Sequence, residues 1–307
     1  TGGGCPHILA EPQRTNLITY SEDFSQWSTN ATVTLNAAIS PDGTQNASLF
    51  SHSGGSFPQV TLTGITFVSG ADYSPSLYVK SDGTSQVQHS LLINNVVVNF
   101  TPTDEWVRIS DLIVSPDTSG SFVIAQNSGS SVAASFYIWG AQLEAGSYAT
   151  SYIPTSGSTV TRNQDIFTRD GIGSLINSTE GVLFVELSFS QSGRLSLTDS
   201  TGANQVVLGF ISSIFFRIVE AGSSVITESF SSASELNRIY KVAIKYKDGD
   251  SAIWVDGVEE VRTESFTLTG LSEIAFSSQG NTFYGKVKQL QVYDTALTDT
   301  QLAALTS

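Results

Sequence analysis

Apolar and polar residues alternate in short runs along the chain, and turn residues separate these runs. Residues 74–80 are a clear case, because Leu77 and Val79 alternate with polar or amphipathic neighbours. A period of two is the pattern of a strand that buries one face. Similar runs recur between residues 32 and 139 and again between residues 181 and 293. The pattern predicts an all-β protein with many short strands, which is typical of sandwiches and barrels.

Turn chemistry and one helix signal add local detail. Asp, Asn and Gly tolerate the positive φ angles that two-residue hairpin turns need. Hairpin turns are therefore predicted at Asp82-Gly83, Asn94-Asn95, Asp248-Gly249 and Asp256-Gly257. Near the C-terminus, Thr298 and Gln301 have the spacing of a capping box, so a short C-terminal helix is expected.

A polar segment divides the pattern in two. Residues 146–164 include Pro154 and Gly157 and show no periodicity, as a linker would. We therefore predict two tandem antiparallel jelly-roll β-sandwiches. The first covers residues 1–155, of which 1–14 form an N-terminal extension. A linker follows over residues 156–168, and the second sandwich covers residues 169–307.

Composition narrows the function classes. The 307 residues include 28 Asp and Glu against 14 Lys and Arg, and the formal net charge is −14. Phosphate recognition needs a basic stripe, so nucleic-acid binding is disfavoured. The acidity also argues against unaided binding of acidic polysaccharides. No apolar run approaches the ~20 residues of a membrane span, so membrane insertion is not expected. The chain has no Met, which predicts a processed chain or part of a longer one.

The sequence lacks the residue groupings that common hydrolases use for catalysis. The single cysteine, Cys5, has no paired histidine, and none of His7, His52 and His89 lies near a Gly-x-Ser-x-Gly turn. No two acids share one strand face at the spacing of a glycosidase pair, although carboxylates from distant segments could still converge. We expect no enzyme and no cofactor. Structural calcium, held by turn carboxylates and carbonyls, stays an alternative to simple hydration of those turns.

Sugar binding needs only an aromatic platform with amide and hydroxyl groups around it. Four aromatic side chains alternate with apolar neighbours on predicted strands, so they could face a ligand. These candidates are Tyr78, His89, Tyr137 and Trp139. For each one taken alone, packing in the core or a plain surface position is the simpler interpretation.

Two longer sequence motifs in the first half of the chain resemble those of a known protein module. Residues 11–27, EPQRTNLITYSEDFSQW, and residues 139–155, beginning WGAQLEAG and ending ATSYIPT, resemble the opening and the end of a module of bacteriophage virion proteins. Residues 73–80 and 106–109 are similar to strands of jelly-roll carbohydrate-binding modules. The resemblance implies a surface-exposed particle component. The motif residues themselves are expected to be structural and not to contact sugar.

The second half resembles the laminin-G-like, or concanavalin A-like, jelly roll. The matching residues are 240–258, 285–293 and 296–299. This pattern occurs in lectins, adhesins and accessory domains, so it implies a fold more strongly than a function.

Together these features predict a non-enzymatic phage surface protein, a fibre or decoration component that binds host-surface glycans. Its expected location is the virion surface, outside the cell, or alternatively a secreted state. Expected partners are other virion proteins and host glycans, with a homo-oligomer as a further option. Two alternatives stay open: a purely structural virion protein that binds only its neighbours, and a glycan-binding accessory module of a secreted bacterial polysaccharide-degrading enzyme.

Overall fold

A computed structural model describes residues 7–55, 57–84, 87–126 and 132–307. The chain divides into two compact units. We call Gln13–Asn163 the N-terminal unit. The C-terminal unit comprises Gln164–Ser307 together with the first residues of the chain, through Pro12. The prediction of an all-β fold with two antiparallel sandwiches and a short C-terminal helix is confirmed.

The first strand, β1 (Ile8–Ala10), belongs to the C-terminal unit. The N-terminal unit contains the next thirteen strands: β2 (Arg14–Asn16), β3 (Ser28–Thr29), β4 (Thr32–Ala38), β5 (Ala47–His52), β6 (Gln59–Thr66), β7 (Asp72–Ser81), β8 (His89–Ile93), β9 (Val96–Phe100), β10 (Val107–Ser110), β11 (Ile113–Val114), β12 (Ser119–Gln126), β13 (Ala134–Ala145) and β14 (Val160–Arg162).

Two antiparallel sheets form this unit. One has the strand order β10-β7-β13-β5-β4, with β11 also paired to β7, and the other has the order β3-β6-β12-β8-β9. The inward positions of both sheets are apolar at every second residue, as the period-two pattern requires. Phe50, Leu77, Phe122 and Phe136 are fully buried between the sheets. Outside them, β2 pairs with β14.

The C-terminal unit adds thirteen strands and one helix to β1. They are β15 (Thr168–Arg169), β16 (Glu180–Phe189), β17 (Gly193–Thr198), β18 (Gln205–Phe210), β19 (Ile214–Glu220), β20 (Ser223–Phe230), β21 (Tyr240–Lys247), β22 (Ser251–Val255), β23 (Val258–Arg262), β24 (Glu273–Ala275), β25 (Ser277–Ser278), β26 (Asn281–Thr282), β27 (Gly285–Tyr293) and α1 (Asp299–Thr306).

Two six-stranded sheets enclose a large apolar core here. Their orders are β1-β27-β16-β21-β22-β23 and β15-β24-β17-β18-β19-β20. On the outer side of the first sheet, Leu302 of α1 is buried against Phe184 and Trp254. The predicted capping box is confirmed, because Thr298 accepts from the Gln301 amide while the Gln301 side chain accepts from the Thr298 amide.

Three of the four predicted hairpin turns are confirmed. Asn94-Asn95 joins β8 to β9, Asp256-Gly257 joins β22 to β23, and Gly249 lies in the turn between β21 and β22. The prediction at Asp82-Gly83 is wrong, because β7 and β8 lie in different sheets. That turn therefore leads from one sheet to the other.

The unit boundaries differ from the predicted ones at both ends of the N-terminal unit. Ile8–Ala10 is not an extension of the first sandwich, because it pairs with β27 of the second. Part of the predicted linker, Val160–Arg162, is β14 and pairs with β2. Both corrections have one cause: strand pairing between residues far apart in sequence leaves no local signal.

Candidate functional site

The outer face of one sheet of the N-terminal unit carries the candidate site. We use the name outer face for the side of β10-β7-β13-β5-β4 that points away from the core. Cross-strand partners share a face, so the register arranges its side chains in rows. The first row is Thr32, Ser51 and Ser135; the second is Thr34, Leu49, Tyr137 and Lys80; the third is Trp139, Tyr78 and Arg108.

The first row borders a cleft of about 530 Å³. Hydroxyl side chains dominate its lining, so we call it the hydroxyl cleft. They are Thr32, Ser51, Ser53, Thr84 and Ser135. Each hydroxyl can donate one hydrogen bond and accept two, as the hydroxyls of a sugar can. The cleft therefore offers matching partners to a polyhydroxylated ligand.

Asp82 orients two hydroxyls of this cleft. Its carboxylate accepts a hydrogen bond from Ser135 Oγ and another from Thr84 Oγ1, the latter at 2.7 Å. Burial raises the pKa of Asp82, but the hydrogen bonds from Ser135 and Thr84 outweigh that effect and the net shift is downward. A charged carboxylate thus fixes the orientation of both hydroxyl groups.

His52 also lines the cleft, but it is not set up as a general base for a serine. Its Nδ1 accepts from the Gly54 amide at 3.3 Å, and its Nε2 has no hydrogen-bond partner among the residues that the structure describes. Burial lowers the pKa of His52. A serine nucleophile needs a hydrogen bond to the base and a third group that orients the base. Among the described residues, no serine bonds to Nε2 of His52, and its Nδ1 is bonded to an amide donor where a triad has a carboxylate acceptor.

The third row contains an aromatic cluster in which Tyr78 and Tyr152 pack against Trp139. The ring centroids of Tyr78 and Trp139 are 5.3 Å apart, and those of Trp139 and Tyr152 are 4.5 Å apart. Gly140 makes room for this packing, because a Cβ there would lie 3.3 Å from both tyrosine rings. Trp139 is only 4% exposed as a result. It cannot serve as the sugar-contacting platform that the sequence suggested.

Tyr78 is half-buried and engaged by Arg108. The guanidinium carbon lies 5.5 Å from the centre of the Tyr78 ring. The same guanidinium donates to the Thr150 carbonyl at 2.7 Å and to Ser76 Oγ at 2.9 Å. These contacts hold Tyr78 in place and leave only part of its ring for a ligand.

Tyr137 is the predicted residue best placed for binding. It is half-buried and lies between the hydroxyl row and the aromatic cluster, opposite Leu49 and Lys80. Within the described part of the chain its ring and hydroxyl make no ring contact or hydrogen bond. A partly exposed aromatic ring therefore lies next to a row of hydroxyls on the outer face.

His89 is not on this face, and its candidacy is corrected. It lies on β8 of the other sheet, is 1% exposed, and packs against Phe136 with ring centroids 4.2 Å apart. Burial lowers the pKa of His89 to about 4, against a smaller opposing effect of the hydrogen bond to the Val87 carbonyl. His89 is a neutral core residue because its strand turns that side chain inward.

Sequence reasoning missed the hydroxyl row. Thr32, Ser51 and Ser135 are individually unremarkable in a chain rich in Ser and Thr. Only the pairing register of β4, β5 and β13 brings them side by side. No local signal marks them.

The two motifs at residues 11–27 and 139–155 meet in the structure. Asn16 is fully buried, and its side-chain amide donates to the carbonyls of Ala141 and Ile153 at 3.2 and 2.9 Å. Its oxygen accepts from the amides of Ile18 and Leu143, both at 3.1 Å. One side chain thus joins the start and the end of the N-terminal unit.

Further buried polar groups extend this arrangement. Glu144 accepts from the Thr150 amide at 2.8 Å and from Gln142 at 2.7 Å, and Ser21 accepts from the Thr155 amide at 2.8 Å. We call the set the closing network: Asn16, Ser21, Gln142, Glu144, Thr150 and Thr155. Their polar groups bond to one another and to backbone, which leaves them little capacity for a ligand.

Within residues 7–55, 57–84, 87–126 and 132–307, no group of three or more His, Cys, Asp or Glu side chains is placed to hold a metal ion. In the same residues, no helix is long and apolar enough to cross a membrane.

Comparison with known proteins gives distant structural likenesses. No protein-family model matches the sequence, and no curated protein matches it. A carbohydrate-binding module 40 of a Ruminococcus gnavus sialidase, bound to α2,3-sialyllactose, is similar with 15% identity and a TM-score of 0.37, covering 46% of this chain and 98% of that one. The tandem module 22 domain of Paenibacillus barcinonensis Xyn10C has 11% identity and a TM-score of 0.31, covering 96% and 98%.

A third similar structure is the LG4-5 pair of the mouse laminin α1 chain. It has 11% identity and a TM-score of 0.30, covering 97% of this chain and 96% of that chain. At this distance the assignment of two β-sandwiches rests on the strand pairing described above.

Proposed function

We propose that this protein is a non-catalytic saccharide-binding protein and that the outer face of the N-terminal unit is its binding surface. The observation that supports this most directly is the partly exposed ring of Tyr137 in the row next to Ser51 and Ser135. A pyranose ring can stack one apolar face on an aromatic side chain while its hydroxyls exchange hydrogen bonds.

The shape of the surface defines the expected mode of binding. The hydroxyl cleft is shallow and its lining mixes polar and apolar surface, and within the described part of the chain a single partly exposed tyrosine ring, that of Tyr137, adjoins it. A site of this kind gives few desolvated contacts, so a single copy should bind weakly. Avidity from several copies would raise the effective affinity without any new contact.

The protein's setting is proposed to be the surface of a bacteriophage particle. Residues 11–27 and 139–155 support placement on a bacteriophage surface through their motif resemblance. In that setting the partners would be host-surface glycans and neighbouring virion proteins. A module attached to a secreted bacterial enzyme would use the same surface in the same way. Imaging of particles with an antibody against the purified chain would distinguish these settings.

Binding is tested with a glycan array and two variants of one residue. We expect the wild-type chain to bind at least one neutral oligosaccharide and Tyr137→Ala to lower that affinity at least about ten-fold, because the stacking surface is lost. Tyr137→Phe keeps the ring and should bind within a few-fold of wild type. Tyr293→Ala, which removes a half-buried tyrosine from the other unit, is the matched control.

Two results would contradict the assignment. One is unchanged binding by Tyr137→Ala, which would move the site off the outer face. The other is no binding to the array together with tight incorporation of the chain into particles, which would favour a purely structural virion role.

A further inference from the structure

Two arginines of the C-terminal unit lie close together, and neither has a carboxylate partner among the described residues. Arg194 is on β17 and Arg217 on β19, and both point away from the apolar core, since their neighbours Leu195 and Phe216 are fully buried. Gly209 of β18 and Phe215 of β19 continue the row of Arg194. We call Arg194 and Arg217 the arginine pair.

The backbone explains why the two guanidiniums converge. A Cβ on Gly209 would lie 2.3 Å from the ring of Phe215, so only glycine lets that ring lie across β18. The guanidinium carbons of Arg194 and Arg217 are 5.7 and 5.5 Å from the ring centre. Cation–π contacts of this length hold both charges against one aromatic surface.

A neutral group now occupies the space between the two charges. Nη1 of Arg194 and Nη1 of Arg217 both donate to Oε1 of Gln279, at 3.4 and 3.3 Å. These are long hydrogen bonds, and a carboxamide oxygen carries no formal charge. Gln279 lies in the turn between β25 and β26. It therefore balances two cations only weakly.

Half of the ten Lys and Arg side chains of this unit have an acidic partner. Arg238, Lys245, Lys247, Arg262 and Lys288 each form an ion pair with Asp or Glu. Among the described residues the arginine pair forms none, although the whole chain carries twice as many acids as bases.

In this arrangement the two guanidinium groups repel each other, and some of their N–H donors have no acceptor among the described residues. Burial lowers the pKa of Arg194, and the positive charge of Arg217 lowers it further. Nε of Arg217 is buried and has no hydrogen-bond partner in the described part of the chain. Guanidinium donors in this state favour a bidentate anion.

We propose that the arginine pair binds the carboxylate of an acidic saccharide, which replaces the oxygen of Gln279. The hydroxyls of Thr227 and Ser229 are exposed and in register with Arg217 and Phe215, so they lie on the same face. They offer hydrogen bonds to the sugar ring beside the carboxylate. The net charge of the chain disfavours acidic ligands in general, and this pair is the local exception to that rule.

Matched ligands test the charge requirement. Trigalacturonate and 3′-sialyllactose are compared with their methyl esters by calorimetry on the full chain. We expect at least one acid to bind about ten-fold or more tightly than its ester, and acetate to bind far more weakly than that acid. Arg194→Gln and Arg217→Gln should each lose about ten-fold or more in affinity for the acid.

Arg238→Gln is the matched control, because it makes the same charge change in the same unit. Arg238 stacks on Tyr240 and pairs with Asp256, so its loss should leave binding of the acid unchanged. Thermal melts of all three variants show whether the C-terminal unit stays folded.

Gln279→Glu provides an independent variant that does not remove either arginine. An internal carboxylate would occupy the site, so we expect loss of acid binding together with a higher melting temperature of the C-terminal unit.

Equal binding of acid and ester, unchanged binding in Arg194→Gln and Arg217→Gln, or no binding of either acid would overturn the proposal. Acetate binding as tight as that of the saccharide would overturn its saccharide part. Tyr137→Ala alters the other unit, so the proposed saccharide site of the N-terminal unit and the arginine pair are tested separately.

Discussion

The two units share an architecture but close their cores in different ways. In the N-terminal unit, the closing network joins the first and last strands through buried side-chain hydrogen bonds. In the C-terminal unit, a larger apolar core lies between two six-stranded sheets, and the short helix α1 packs on one outer side through Leu302. Buried polar networks stabilise a fold only when every member is satisfied. The N-terminal unit should therefore be the more sensitive of the two to single polar substitutions.

Histidine placement adds a second difference. The N-terminal unit buries His89 and half-buries His52, whose ring centroids are 6.1 Å apart. The C-terminal unit holds only His7, which is exposed. Mild acid should therefore act on one unit before the other.

The largest expected effect is that of Asn16→Ala. The substitution leaves two buried carbonyls and two buried amides without their partner, so the N-terminal unit should lose about 4 kcal/mol in free energy of unfolding. Urea denaturation followed by unit-specific fluorescence would measure it. Gln205→Ala, which removes a buried amide from the C-terminal unit, is the counterpart and should cost about 1 to 2 kcal/mol there. Equal losses in both units from Asn16→Ala would refute the comparison.

A change of pH should have the next largest effect. The pKa of His89 is about 4 in the folded unit and 6.5 when unfolded, so the unfolded chain binds more protons between these values. The stability of the N-terminal unit is then complete above pH 6.5 and falls by about 3 kcal/mol as the pH drops to about 4. The lowered pKa of His52 acts in the same direction.

Unfolding free energies across this pH range would measure the loss. His89→Phe removes the titrating group, so the difference between the variant and wild type isolates its contribution from those of the carboxylates. A wild-type slope that persists in His89→Phe would show that other groups cause it.

The smallest expected effect concerns the helix of the C-terminal unit. Thr298→Ala removes the side chain that accepts from the Gln301 amide, so this unit should lose about 1 kcal/mol. Thr298→Ser keeps the hydroxyl and should be nearly neutral, and Thr300→Ala is a control at an exposed neighbouring position. Thermal melting of the C-terminal unit distinguishes these outcomes. A loss in Thr300→Ala equal to that in Thr298→Ala would show that capping is not the cause.

Features that depend on neighbouring residues could be predicted from the sequence. The burial of Leu77 and Val79, the turn at Asn94-Asn95 and the cap at Thr298 each follow from residues a few positions apart. The prediction of a hairpin at Asp82-Gly83 was wrong because the residues of a turn do not determine whether the strands on either side of it pair.

The two proposed binding surfaces depend on residues that are far apart in the sequence. Trp139 looked like a platform on its strand, yet Tyr152 covers it from a separate segment. The arginine pair depends on two strands, a glycine between them and a distant turn that carries Gln279. Each of these placements is set by register, which a single sequence does not display.

The pairing of β1 with β27 makes the C-terminal unit discontinuous in the chain. Ile8 pairs with Val287, and the whole N-terminal unit is inserted between them. The inserted unit begins and ends on paired strands, β2 and β14, so it can complete its own fold as soon as it leaves the ribosome. Strand β1 must wait for β27, which is synthesised only after the whole inserted unit. During synthesis the C-terminal unit is therefore the slow partner, and its unpaired edge is the surface most exposed to aggregation before β1 returns to it.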